Sequence, residues 1–117
     1  MGGGTPSLVS PAGIARLLEG VDRRLPIASE AECTLEANPG SSDQIKFQGY
    51  RAAGVNRLSL GIQSFSDKKL QALGRLHSGA EAKDAIASAR RAGFDNINLD
   101  LIHGLPNQNT DDARTDL

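Results

Sequence analysis

The chain has 117 residues, 38% of them hydrophobic, with three Phe, one Tyr and no Trp, so Leu, Ile, Val and Ala must do most of the packing in one small domain or part of a larger one. Thirteen basic against 14 acidic residues leave a net charge of -1, which excludes the concentrated basic stripe of a nucleic-acid binder. No apolar run approaches the ~20 residues of a membrane span, and Met1-Gly2-Gly3-Gly4-Thr5-Pro6 has neither the basic segment nor the apolar stretch of a secretory signal, so a cytoplasmic location is the expectation.

The Gly2-Gly3-Gly4-Thr5-Pro6 turn exposes backbone groups that a ligand could approach closely. No Lys-Ser or Lys-Thr pair follows it and its spacing is not that of a dinucleotide loop, so a ligand turn and a purely structural turn both stay open. Ser10-Pro11 starts a first helix, with Ser as N-cap and Pro in the first helical position. Ile14, Leu17, Leu18 and Val21 recur at helical spacing, and Pro26 closes the segment. The single cysteine, Cys33, can form neither an internal disulfide nor a Cys-x-x-Cys metal site and is expected as a small buried apolar residue. It lies in a strand-like run over 32–38 that stops at Pro39-Gly40.

Residues 42–53, beginning at Ser42, read as a second helix with Ile45 and Tyr50 on its apolar side, ended by Gly54. Residues 56–65 form the second strand. Ser66 caps a short helix to Leu73, stopped by Gly74. Ser78 or Gly79 starts a longer helix containing Ala82, Ala85, Ile86 and Ala89, ended by Gly93. Residues 96–103 form the third strand, broken by Gly104-Leu105-Pro106, and the polar remainder begins another helix. Arg51-Ala52-Ala53-Gly54-Val55 and Arg91-Ala92-Gly93-Phe94 echo one another: each puts Gly just past a helix, then one apolar residue, then a strand. That unit is the repeat of a parallel α/β structure.

Side chains alternate along a strand. Cys33, Leu35 and Ala37 oppose Thr34, Glu36 and Asn38; Leu58, Leu60 and Ile62 oppose Ser59, Gly61 and Gln63; Ile97, Leu99 and Leu101 oppose Asn98, Asp100 and Ile102. A parallel sheet covered on both sides should be apolar on both faces. One polar face per strand instead predicts a partial (β/α) barrel with helices outside and a polar cavity within; an antiparallel sheet with one wet face is the competing reading. The polar residues Glu36, Gln63 and Asp100 fall late in their strands, where barrels carry their sites. Carboxylates there can bind an ammonium group or ribose hydroxyls, or act as an acid/base pair. Arg75, just past Gly74, can pair bidentately with a carboxylate. Such a set matches an amino acid attached to a nucleoside, with solvated acids and a surface Arg as the plainer reading. His77 and His103 have no second ligand at metal spacing and read as structural.

The ordered runs Gly2-Gly3-Gly4-Thr5-Pro6-Ser7-Leu8, Thr34-Leu35-Glu36-Ala37-Asn38-Pro39-Gly40, Gly54-Val55-Asn56-Arg57-Leu58-Ser59-Leu60-Gly61-Ile62-Gln63-Ser64-Phe65, Leu73-Gly74-Arg75-Leu76-His77 and Asn98-Leu99-Asp100-Leu101-Ile102-His103-Gly104-Leu105-Pro106 cover nearly the whole chain. Together they resemble radical S-adenosylmethionine (SAM) proteins related to oxygen-independent coproporphyrinogen III oxidase, and within these the haem chaperone (HemW-type) branch. The resemblance implies an α/β fold, part of a (β/α)6 partial TIM-like barrel. It implies that Gly3, Gly4 and Thr5 lie along the SAM methionyl group, that Glu36 and Gln63 contact SAM from the barrel interior, that Arg75 meets its carboxylate and that Asp100 binds the ribose hydroxyls. Family members carry a Cys-x-x-x-Cys-x-x-Cys loop before the glycine motif, whose thiolates hold a [4Fe–4S] cluster. The expectation is that residues 1–117 are an internal fragment of the core domain, without that loop or the C-terminal region, and inactive alone. The parent would be a haem chaperone binding SAM, a cluster and haem. The alternatives are an oxidase acting on a porphyrinogen through oxidative decarboxylation, or an α/β fragment with no function of its own.

Overall fold

The computed structural model describes residues 1–41, 44–105 and 107–117. The first helix, α1 (Pro11–Asp22), starts as its capping residues dictate, with the Gly13 N–H donating to Ser10 Oγ at 3.2 Å. It leans on the second helix, α2 (Gln44–Ala52), where Gly49 permits the contact: a Cβ there would sit 2.6 Å from Pro11 Cβ. Only a narrow stripe is covered, so Ile14 is buried while Leu17 and Val21 face solvent. The expected start of α2 at Ser42 lies outside the described residues. Phe47 and Tyr50 form its buried side, but Ile45, expected beside Tyr50, is exposed. At about 100° per residue Ile45 lies roughly 200° around the helix from Phe47, on the solvent side.

Three strands follow the expected order: β1 (Thr34–Ala37), β2 (Arg57–Gln63) and β3 (Asn96–Leu101). They form one parallel sheet in the order β1-β2-β3, which rules out the antiparallel alternative. Asn56 fixes the entry to β1: its Oδ1 accepts the Cys33 N–H at 2.8 Å and its Nδ2 donates to the Ala31 carbonyl at 2.9 Å. Cys33 itself is half-buried rather than buried, because it precedes the strand's covered stretch.

Between β2 and β3 run a short helix, α3 (Asp67–Ala72), and a longer one, α4 (Gly79–Arg91). Ser78 caps α4 in a reciprocal box with Glu81. Ser66 stands at the N-cap position of α3 without the expected side-chain cap; its own N–H donates to Ser64 Oγ at 3.1 Å. Gly79 is required where α4 meets the end of β2, since a Cβ there would lie 2.1 Å from the Phe65 carbonyl oxygen. The last helix, α5 (Thr110–Thr115), has an Asn109/Asp112 box; the predicted break at Pro106 lies outside the described residues.

Gly54 (φ 106°) and Gly93 (φ 88°) turn the chain out of α2 and α4, and Val55 and Phe94 after them are fully buried. Leu35, Leu58, Leu60 and Ile62 cover the sheet's helix side, packed with Phe47, Tyr50, Ala82 and Ala89. Phe47 and Phe94 meet edge to face with centroids 6.4 Å apart. Each such side chain contributes about 1.5–3 kcal/mol through burial. Leu99 stays 37% exposed because β3 is the sheet's edge. The molecule measures 50 × 24 × 24 Å, with a radius of gyration of 15.6 Å; a compact chain of this length would have about 13 Å. It is an arc of a TIM-like barrel, with helices outside and one polar face open. Among the described residues, no helix is long and apolar enough to cross a membrane.

Candidate functional site

The parallel register sets the inward face. Glu36 pairs with Ser59, and Ser59 with Asn98, so three polar residues stand side by side across the sheet. Asp100 follows one step along β3. Its Oδ2 accepts from Ser59 Oγ at 2.9 Å and its Oδ1 from Asn98 Nδ2 at 2.7 Å, while Asn98 Nδ2 also reaches Ser59 Oγ at 3.0 Å. A carboxylate offers about four lone-pair sites, so this brace holds Asp100 still and leaves room to accept further hydroxyls.

Beyond Leu60 the register slips. Leu60 pairs with Leu99 but Gln63 with Leu101, so β2 carries one extra residue, a bulge. The bulge ends at Gln63, which takes a left-handed backbone (φ 68°) costing about 1–3 kcal/mol for a residue with a Cβ. Strand alternation alone foretold which face Gln63 shares, but not this kink. Gly61 lies inside the bulge, and a Cβ on it would come within 2.8 Å of Asn38 Oδ1 and 2.9 Å of Gln63 Nε2.

The glycine turn is suspended between two anchors. At one end Glu36 N–H donates to the Met1 carbonyl at 3.1 Å, and Gly2 leaves space for the Glu36 carboxylate, which a Cβ would meet at 2.6 Å. At the other, the buried Tyr50 hydroxyl lies 2.8 Å from both the Ser7 and Val9 carbonyls. Burial pushes the Tyr50 hydroxyl's pKa up. Gly3 (φ 86°) and Gly4 (φ 63°) both use the left-handed backbone that glycine allows. Gly74 (φ 67°) does the same after α3 and delivers Arg75.

Gly4, Thr5, Glu36, Gln63, Arg75 and Asp100 all line one cavity of about 340 Å³, together with Asn38, Ser59 and Gly61. That volume falls in the range of small-molecule sites. Gly3 is exposed next to Gly4 and is not part of the wall. Neither the Glu36 carboxylate nor the Arg75 guanidinium has an ion-pair partner among the described residues. Opposite charges that face one cavity without neutralising each other suit a zwitterion, and a braced carboxylate suits a sugar diol, so the donor set fits SAM. It does not fit an iron–sulfur cluster, because the chain's one cysteine, Cys33, lies outside the cavity wall. His77 is buried with Nε2 donating to the Ile62 carbonyl at 3.0 Å, and His103 is exposed beyond β3. Asn38, Ser59, Gly61 and Asn98 also belong to the site, and all four share the alternating face that marks Glu36, Gln63 and Asp100 in the sequence.

The profile of the Radical SAM superfamily matches residues 1–117. The heme chaperone HemW of Escherichia coli (strain K12) is 52% identical over 117 residues, which cover 100% of this chain and 31% of that protein. The heme chaperone HemW of Haemophilus influenzae is 51% identical over 117 residues, covering 100% of this chain and 30% of that protein. The solved structure of coproporphyrinogen III oxidase (HemN) from Escherichia coli, a radical SAM enzyme, matches with a TM-score of 0.86 at 31% identity, over 98% of this chain and 26% of that one. The chain thus spans about a third of the length of the curated relatives it matches.

Proposed function

The chain belongs to the Radical SAM superfamily, and from that premise we propose that it forms the SAM-binding part of a longer haem chaperone of the coproporphyrinogen oxidase-like kind. The observation that carries the reading is the convergence of Gly4, Thr5, Glu36, Gln63, Arg75 and Asp100 on one cavity. Arg75 pairs with the methionyl carboxylate, and the Gly3-Gly4-Thr5 backbone runs along the amino end. Glu36 and Gln63 contact the ligand from the sheet, and Asp100, held by Ser59 and Asn98, accepts from the ribose hydroxyls. When bound, SAM supplies a sulfonium centre open to reductive cleavage. The one cysteine, Cys33, cannot by itself supply the thiolates that hold an iron–sulfur cluster.

The identity to two chaperones, at 52% and 51%, supports haem handling over porphyrinogen oxidation. The backbone match to the oxidase, at a TM-score of 0.86, supports the second reading, an oxygen-independent coproporphyrinogen III oxidase. The test uses the full-length protein. Equilibrium binding should detect SAM, with Asp100→Asn raising Kd about 12- to 140-fold through weakened charge-assisted bonds worth about 1.5–3 kcal/mol. No binding at millimolar SAM would refute the site and leave an inactive fragment as the description of this segment. Supplying coproporphyrinogen III and a reductant then separates the two readings. Protoporphyrinogen formation refutes the chaperone reading, and haem binding without turnover supports it.

A further inference from the structure

Gln63 is the one non-glycine residue in the cavity wall with a left-handed backbone among the described residues. Ser64 N–H donates to the Ile62 carbonyl at 2.9 Å across it, so Gln63 is the centre of a three-residue turn of the rare, strained hand. Such a conformation persists only where its surroundings over-determine it. Here peptide groups on both sides of the turn are held. The Ile62 carbonyl also accepts from His77 Nε2 at 3.0 Å, and the Gln63 carbonyl accepts the Ile102 N–H at 2.9 Å. Past the turn, the Asp116 carboxylate takes two donors, Ser64 Oγ at 2.7 Å and Phe65 N–H at 2.8 Å.

Asp116 and His77 are 7% and 6% exposed, and Ser64 is fully buried, so water is poorly placed to replace these bonds. None of the three lines the cavity. Lys69 Nζ lies 3.9 Å from Asp116, a long contact that balances its charge without taking either oxygen from its donors. We infer that Asp116 and His77 are positioning residues: bonded to the chain just before and just after Gln63, they lock the strained turn and so aim its amide into the cavity. The inference rests on the proposal that Gln63 contacts SAM.

The test is a double-mutant cycle on the full-length protein, reading SAM Kd and thermal midpoint for Gln63→Ala, Asp116→Asn and the pair. Asp116→Asn leaves one acceptor oxygen for two donors, so an amide N–H₂ faces either the Ser64 hydroxyl, which must turn to accept, or, with the amide flipped, the Phe65 N–H; this should raise Kd about 5- to 20-fold. In the Gln63→Ala background the same change should move Kd less than about twofold, because the group being aimed is gone. Gln63→Ala with unaltered Kd sinks the assignment of Gln63 to SAM, and this inference with it. Weakened binding in Gln63→Ala beside unaltered binding in Asp116→Asn overturns the positioning role alone. Effects that multiply in the pair overturn it too, since a general loss of structure would act without Gln63. Should Asp116→Asn not fold, Ser64→Ala, which deletes one of the two bonds to Asp116, runs the same cycle to the same criteria.

Discussion

Gly61→Ala separates ligand binding from folding. A Cβ at Gly61 would meet Asn38 Oδ1 at 2.8 Å, Gln63 Nε2 at 2.9 Å and the Ala37 carbonyl oxygen at an ordinary 3.8 Å. Gly61 is not among the glycines in the left-handed region, so Ala meets no penalty of that kind. The two crowded atoms are ends of side chains, which can turn away while β1 and β2 keep their ladder. Restricting the unfolded chain stabilises by about 0.4–1 kcal/mol, which offsets much of the side-chain displacement, so net stability should stay within about 1 kcal/mol of the parent. The site fares worse. The Gln63 amide is turned from the cavity, and at about 0.5–1.5 kcal/mol for its hydrogen bond the loss is roughly 2- to 12-fold in Kd. Calorimetric titration of the full-length protein with SAM, beside urea unfolding of the same sample, measures both quantities. A Kd within twofold of the parent would refute the reasoning, as would a stability loss above about 3 kcal/mol, which would make Gly61 a packing residue.

Two further outcomes follow from single side chains. Tyr50→Phe removes the donor shared by the Ser7 and Val9 carbonyls; with Ser7 buried, stability should fall by about 1–2 kcal/mol in urea titrations. Because burial raises the Tyr50 pKa, its neutral form contributes stability that is complete below the ordinary tyrosine value of 10.0 and is lost as pH rises through the folded value, so the parent should show an alkaline decline that Tyr50→Phe lacks. Glu81 moves the other way. The Ser78 N–H, then the Ser78 hydroxyl, hold its pKa below the usual 4.5, so its contribution is present above that pH and is lost as pH falls through the lower folded value. Thermal midpoints taken down an acid series should therefore show a fall in the parent that is reduced in Glu81→Gln; parallel curves would count against the cap.

Much of this architecture is written in short-range signals. Gly54 and Gly93 each follow a helix and precede a buried residue, Val55 or Phe94, that leads into a strand. The alternation of Leu58, Leu60 and Ile62 against Ser59, Gly61 and Gln63 told core from cavity, because a parallel sheet in an open arc keeps one face wet. Signals failed where a distant partner decides. Ile45 looked apolar in a helix, yet Phe47 and Tyr50 turn that face inward and Ile45 out. The bulge before Gln63 has no local mark beyond Gly61, since it exists only relative to β3. Asp116 sits in a polar tail whose composition suggests solvent, and its burial depends on Ser64 and Phe65, about fifty residues away. Ser66 resembled a helix cap because Ser usually is one, but no side-chain cap bond forms there.

The side-by-side register of Glu36, Ser59 and Asn98 makes the inner face a ruler. Neighbouring strands lie about 4.8 Å apart, so the outer two of three strands are about 10 Å apart across the sheet, whatever their side chains. A molecule bridging the acid on β1 and the acid on β3 has to lie crosswise, not along a strand. Under the proposed function, the amino-acid end of SAM would lie toward Glu36 and its ribose toward Asp100. The separation of the two acids is thus set by backbone spacing, which point mutation of the lining cannot readily rescale.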